Sequence, residues 1–80
     1  MVINILAFGI AKDIVGGTSL SISIGDTRTV KHLRQALETR YLEFSKLSSY
    51  MIAVNNSYAN DEQFISENDE IAIIPPVSGG

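Results

Sequence analysis

The sequence predicts an α+β fold of two layers, a mixed sheet with one main helix packed on one face. Three observations carry this. Residues 18–24 alternate between serine or threonine and apolar side chains, the pattern of a strand with one wet face. Residues 29–41 hold the one long stretch with apolar side chains at helical spacing. Short apolar runs rich in branched residues lie near both ends, at 2–8 and 70–74. A lone helix must bury its stripe, and a sheet face is the partner these strands supply.

The elements follow in order. Residues 2–8 read as the first strand, and residues 11–15 as a helical turn ended by Gly16-Gly17, where positive φ is expected. Those two glycines match no phosphate-binding spacing. In the second strand Leu20, Ile22 and Ile24 share one face and Ser19, Ser21 and Ser23 the other, before Gly25-Asp26 breaks it. Thr29 suits the N-cap of a helix running to about Tyr41, with Val30, Leu33, Ala36 and Leu37 as its buried stripe. At roughly 18 Å such a helix crosses a small sheet. Residues 44–50 are a candidate for a short second helix. Residues 51–55 form a third strand, followed by a polar turn at Asn56-Ser57 and a short pairing piece near Tyr58. Asp61-Glu62 and Glu67-Asn68-Asp69 are turns. The last strand, 70–74, stops at Pro75-Pro76, since neither proline donates a ladder hydrogen bond.

Eighty residues are expected to make one domain, 1–80, with residues 75–80 as an extended C-terminal tail. A chain this short buries only about 60% of its unfolded surface. It has no cysteine, so disulfides, zinc thiolates and iron–sulfur ligation are excluded, and no metal site is expected. The apolar share of 45% is that of a globular protein, and the net charge of −3 argues against nucleic acid as the main partner. All 6 basic residues precede position 47, and Asp61, Glu62, Glu67, Asp69 and Glu70 follow it, so the C-terminal half is expected to present a negative field. The apolar start lacks the basic region and cleavage site of a signal peptide and is too short to span a bilayer. The expected location is cytoplasmic, with no membrane partner. Asn55-Asn56-Ser57 matches a glycosylation sequon that carries no weight without a secretory signal.

Period-two alternation assigns the sheet faces. Asn4 marks the outer face of the first strand, which puts Leu6 and Phe8 outside and Ile3, Ile5 and Ala7 against the helix. Asn55 marks the outside of the third, leaving Ile52 and Val54 inside. Ile71 and Ile73 then face in, and Ala72 and Ile74 out. Apolar Phe8 and Ile74, with Tyr58 nearby, are thereby expected on an open face, as a protein-docking patch.

The chain ends Val77-Ser78-Gly79-Gly80. A C-terminal carboxylate is a poor electrophile until activated, for instance as an acyl-adenylate. Two residues without a Cβ let an enzyme thread the backbone through a narrow channel and leave the terminal carbonyl unhindered. Pro75-Pro76 gives the segment a defined exit angle and lowers the entropy lost on insertion. Six residues from Pro75 reach roughly 20 Å.

Residues 68–80, Asn-Asp-Glu-Ile-Ala-Ile-Ile-Pro-Pro-Val-Ser-Gly-Gly, closely resemble the C-terminus of the molybdopterin synthase small-subunit family, the MoaD-like sulfur carriers. Ala53-Val54-Asn55, Thr29-Val30 and Leu33-Arg34 also look like family positions. The resemblance implies a ubiquitin-like β-grasp fold. It implies that an E1-like adenylyltransferase activates Gly80 with ATP and that a sulfur donor converts the carboxylate to a thiocarboxylate. The tail would then enter the large synthase subunit, in a heterotetramer of two small and two large subunits, and give sulfur to cyclic pyranopterin monophosphate. Carried over by position, Gly80 is the reacting terminus. Phe8, Tyr58, Ile74, Pro75, Pro76, Val77, Ser78 and Gly79 are the partner-binding residues. No cofactor is expected on the chain itself. Tyr58 and Ile74 stand where some relatives carry Leu and Phe.

Three other readings stay open on sequence. Carriers for thiazole synthesis also end in Gly-Gly, but are typically shorter and lack the Pro-Pro-Val-Ser step. A ubiquitin-like modifier would join Gly80 to lysines. A stand-alone enzyme has poor candidates: His32 lies on the helix with no serine or cysteine motif beside it, and Asp69 and Glu70 are adjacent and suit a turn better than an acid–base pair.

Overall fold

A computed structural model describes residues 2–25, 28–47 and 49–75. Its elements run β1 (Val2–Ala7), α1 (Gly9–Val15), β2 (Ser19–Ser23), α2 (Val30–Arg40), a 3-10 turn at Leu42–Lys46, β3 (Met51–Val54), β4 (Ser57–Tyr58) and β5 (Ile71–Ile74). The strands form one mixed sheet in the order β2-β1-β5-β3-β4. β1 lies antiparallel to β2 and parallel to β5, with Ile5 opposite Ile71 and Ala7 opposite Ile73. β3 is antiparallel to both β5 and β4. One main helix on a sheet with β1 and β5 side by side at its centre is the β-grasp arrangement.

The predicted faces hold in every strand. Ile3, Ile5, Ala7, Ile22, Ile52, Val54, Ile71 and Ile73 are buried in one core with Val30, Leu33 and Leu37 of α2. Each large side chain so removed from water contributes about 1.5–3 kcal/mol. Phe44 from the 3-10 turn closes the core, edge-on to Tyr41 at 6.1 Å and tilted against Tyr50 at 5.5 Å between ring centroids. Burial raises the Tyr50 phenol pKa, and the Glu38 carboxylate that accepts its hydrogen bond at 2.6 Å raises it further. Tyr50 therefore stays a donor.

Thr29 caps α2 as expected, its side chain accepting from the His32 amide. The amides of Val30 and Lys31 donate to the carbonyls of Gln63 and Asp61. A helix N-terminus leaves such donors unpaired, and the 61–65 segment satisfies them. Asp61 also lies 3.1 Å from Arg34 Nε, in ion contact but out of line for a hydrogen bond. Part of the acidic C-terminal half is thus tied to the helix.

Strand ends shift by a residue from the sequence reading, and larger differences fall around α1 and after α2. α1 starts at Gly9, so β1 ends at Ala7 and Phe8 becomes the N-cap in extended conformation. Of the pair Gly16-Gly17, only Gly16 has positive φ, 81°, as the C-cap of α1. The expected helix at 44–50 is a 3-10 turn ending at Lys46; Leu47 is already extended, and Tyr50 lies in the core.

The polar turn also sits one residue earlier than Asn56-Ser57. Asn55 and Asn56 have φ of 52° and 71°, and Val54 pairs with Ser57. Two residues at positive φ between paired strands make a type I′ hairpin, which asparagine tolerates. Asn55 does more than turn the chain. Its side chain donates to Asp69 Oδ1 at 3.1 Å and accepts from the Glu70 amide at 2.9 Å. Asp69 Oδ2 accepts from the Ser66 amide at 2.8 Å. These bonds lock the start of β5 to the end of β3. Asn55→Ala is expected to cost about 2 kcal/mol, from two lost hydrogen bonds and the left-handed backbone. The Ser66 amide and the Asn55 side chain hold the Asp69 pKa below 3.8. A depressed carboxylate pKa contributes stability at neutral pH that is lost as pH falls below 3.8 through the folded value. Urea midpoints across that range should fall less steeply in Asn55→Ala than in the wild type; equal slopes would contradict this assignment.

Candidate functional site

The outward face of the sheet builds one apolar groove. Register places Leu6 beside Ala72, Ala72 beside Ala53, and Ala53 beside Tyr58. A single row thus crosses β1, β5, β3 and β4. The two alanines in its middle make a low floor, and the larger side chains at either end make walls. Phe8 continues the outward parity of β1 past its last pair with β5, and Ile74 holds the same parity on β5. The groove, about 470 Å³, is lined by Leu6, Phe8, Ala53, Asn56, Tyr58, Glu70, Ala72 and Ile74. Phe8 is 49% and Tyr58 67% exposed, so neither tucks under a loop. Aromatic walls, an apolar floor and a polar rim at Asn56 and Glu70 suit a protein surface that loses water on docking.

Phe8, Tyr58 and Ile74 are therefore brought together. Pro75 follows at the end of β5, where its ring packs on Gly9: a Cβ added to Gly9 would lie 3.0 Å from Pro75 Cγ. Pro76, Val77, Ser78, Gly79 and Gly80 lie outside the described residues. Sequence reasoning left Leu6, Ala53, Ala72, Asn56 and Glu70 out of the site. Parity had already put Leu6 and Ala72 outside, but the row exists only because the tight Asn55-Asn56 turn sets Tyr58 opposite Ala53.

The enzyme candidates are not assembled into a site. The His32 ring is occupied by the Thr29 hydroxyl at the helix N-terminus. Asp69 holds its turn, while Glu70 lies on the groove rim. Among the described residues no three His, Cys, Asp or Glu side chains are placed to share a metal ion, and no helix is long and apolar enough to cross a membrane.

Comparison with known proteins agrees with this geometry. The molybdopterin synthase sulfur carrier subunit of Dictyostelium discoideum is 41% identical over 81 residues, covering 96% of this chain and 94% of that protein. Among solved structures, SAMP1 from Haloferax volcanii superposes with a TM-score of 0.82 at 20% identity, covering 100% of both chains, a likeness of fold. A protein–protein complex of subunits 1 and 2 of the molybdopterin-converting factor from Helicobacter pylori contains a chain matching at a TM-score of 0.67 and 25% identity, again covering 100% of both. The model of the ThiS family matches residues 5–80, and the chain belongs to that family.

Proposed function

We propose that the chain is the sulfur-carrier subunit of a molybdopterin synthase. The Gly80 carboxylate attacks the α-phosphate of ATP on an E1-like enzyme, releasing pyrophosphate and leaving an acyl-adenylate. A donor delivering sulfur at the sulfide level displaces AMP and leaves a thiocarboxylate. The tail then carries that sulfur into the large subunit, to cyclic pyranopterin monophosphate. The chain supplies no catalytic pocket in this scheme: it is the substrate of one enzyme and the sulfur source of another, in the cytoplasm.

The observation that carries the reading is that β5, which supplies part of the docking groove, is the strand from which the sequence runs on to the reactive end. β5 contributes Ala72 and Ile74 to the groove, and the sequence runs from Pro75 straight on to Gly79-Gly80. A partner seated on the groove is thereby within reach of the terminus. The relative's name, and the two-subunit complex in which a similar chain sits, support a large-subunit partner. Residues Phe8, Tyr58 and Ile74 are its contacts, and Pro75 to Gly79 the segment it admits.

The test is the intact mass of the protein after incubation with a cognate E1-like enzyme, ATP and a sulfur donor. The expected change is replacement of one oxygen by sulfur on the C-terminal peptide. An unchanged mass with an active enzyme, or Gly80 recovered in isopeptide linkage to lysine, would turn the assignment toward a protein modifier.

A further inference from the structure

We infer that Gly9 is a positioning residue for the C-terminal segment, acting through Pro75. The inference rests on the carrier reading and adds to it the device that sets where the tail leaves the sheet. Gly9 opens α1 with φ of +56°, a conformation L side chains rarely adopt. It is also where α1 approaches the end of β5: a Cβ there would sit 3.0 Å from Pro75 Cγ, closer than almost any ordinary contact. The other glycines at described positions meet nothing comparable. Gly16 and Gly25 face open space, and Gly17 meets one backbone oxygen at 3.9 Å. The close approach is thus specific to the pair formed by the first residue of α1 and the first residue after β5.

Two features make this pair an aiming device. Proline fixes φ, so the seat of its ring constrains the direction of the chain that follows. Phe8, next to Gly9, is a wall of the groove. A partner that reads Phe8 therefore meets Pro75, the residue from which the tail departs, at a defined offset from its docking surface. A side chain at Gly9 would displace the Pro75 ring, because β5 and β1 are held by ladder pairs up to Ile73 and Ala7 while Pro75 lies beyond them. The tail would start from the wrong place although the groove stayed intact. The ring would have to give by a few tenths of an ångström, and errors of position are amplified at a reacting centre, where a full ångström can cost about a hundredfold in rate.

The variants are Gly9→Asn, Pro75→Ala and the double substitution. Asparagine accepts positive φ better than other side chains, so Gly9→Asn separates the contact with Pro75 from backbone strain. Each is assayed for thiocarboxylate formation by the E1-like enzyme, ATP and sulfur donor, with carrier concentration varied. In Gly9→Asn, kcat is expected to fall about tenfold or more with KM unchanged. A merely destabilised carrier would do the reverse, since an unfolded fraction raises apparent KM and leaves kcat at saturation. In the Pro75→Ala background the Gly9→Asn substitution should change kcat little, because the two act through one contact. Loss of the nuclear Overhauser contact between Gly9 and the Pro75 ring in Gly9→Asn, with other contacts kept, would support the same conclusion. Wild-type kcat in Gly9→Asn, or independent multiplying effects in the double variant, would overturn the inference. Failure of the wild-type protein to accept sulfur would instead overturn the carrier reading.

Discussion

Deletion of Gly80 is expected to abolish sulfur acceptance and leave the fold unchanged. Adenylation needs the terminal carboxylate within about 3–3.5 Å of the phosphorus it attacks. One residue fewer withdraws the carboxylate by roughly 3.5 Å, so the shortened chain can dock and still fail to react. Every core residue of the described chain lies between Ile3 and Ile73, and a glycine has no side chain to add to that core. Thiocarboxylate formation, read by mass, should be undetectable, while the circular-dichroism spectrum and melting temperature match the wild type. A lost native spectrum would show instead that the terminus is part of the folded structure.

Phe8→Asp is the second large effect. Phe8 is a half-exposed wall of the groove and the N-cap of α1. Aspartate is a good N-cap, so the fold should tolerate the change. Binding should not. Loss of an aromatic anchor removes about 2 kcal/mol or more of binding free energy. A carboxylate left unpaired in the dried interface adds a further penalty. Affinity for the large subunit should fall by about a hundredfold to a thousandfold on those two effects together. Titration calorimetry measures it directly, and unchanged affinity would place the interface on another surface.

Much of this architecture was legible because its physics is local. The serines of β2 sit outside and the isoleucines of β1 and β5 inside because strand parity leaves no other choice once one face is buried. Thr29 and the spacing of Val30, Leu33 and Leu37 announce α2 without any tertiary information. The groove was half legible for the same reason, since parity exposes Phe8 and Ile74. Its middle was not. Ala53 and Ala72 are too small to signal a binding floor, and their alignment with Leu6 and Tyr58 is a product of register across four strands. Register in turn depends on two asparagines at positive φ, and a one-residue shift in reading that turn hides it. Gly9 was invisible for a different reason. Its neighbour in space, Pro75, is nearly the whole chain away in sequence.

The sulfur placed on Gly80 is, on the proposed function, destined for a pterin. That destination is tested most directly in a single turnover. Thiocarboxylated protein is mixed with the large subunit and cyclic pyranopterin monophosphate, and both the carrier mass and the pterin product are followed. The expected result is that each carrier returns to its carboxylate mass as one sulfur appears on the pterin, two carriers being consumed for each dithiolene. A carrier that keeps its sulfur beside an active large subunit, or releases it only onto lysine side chains, would contradict it.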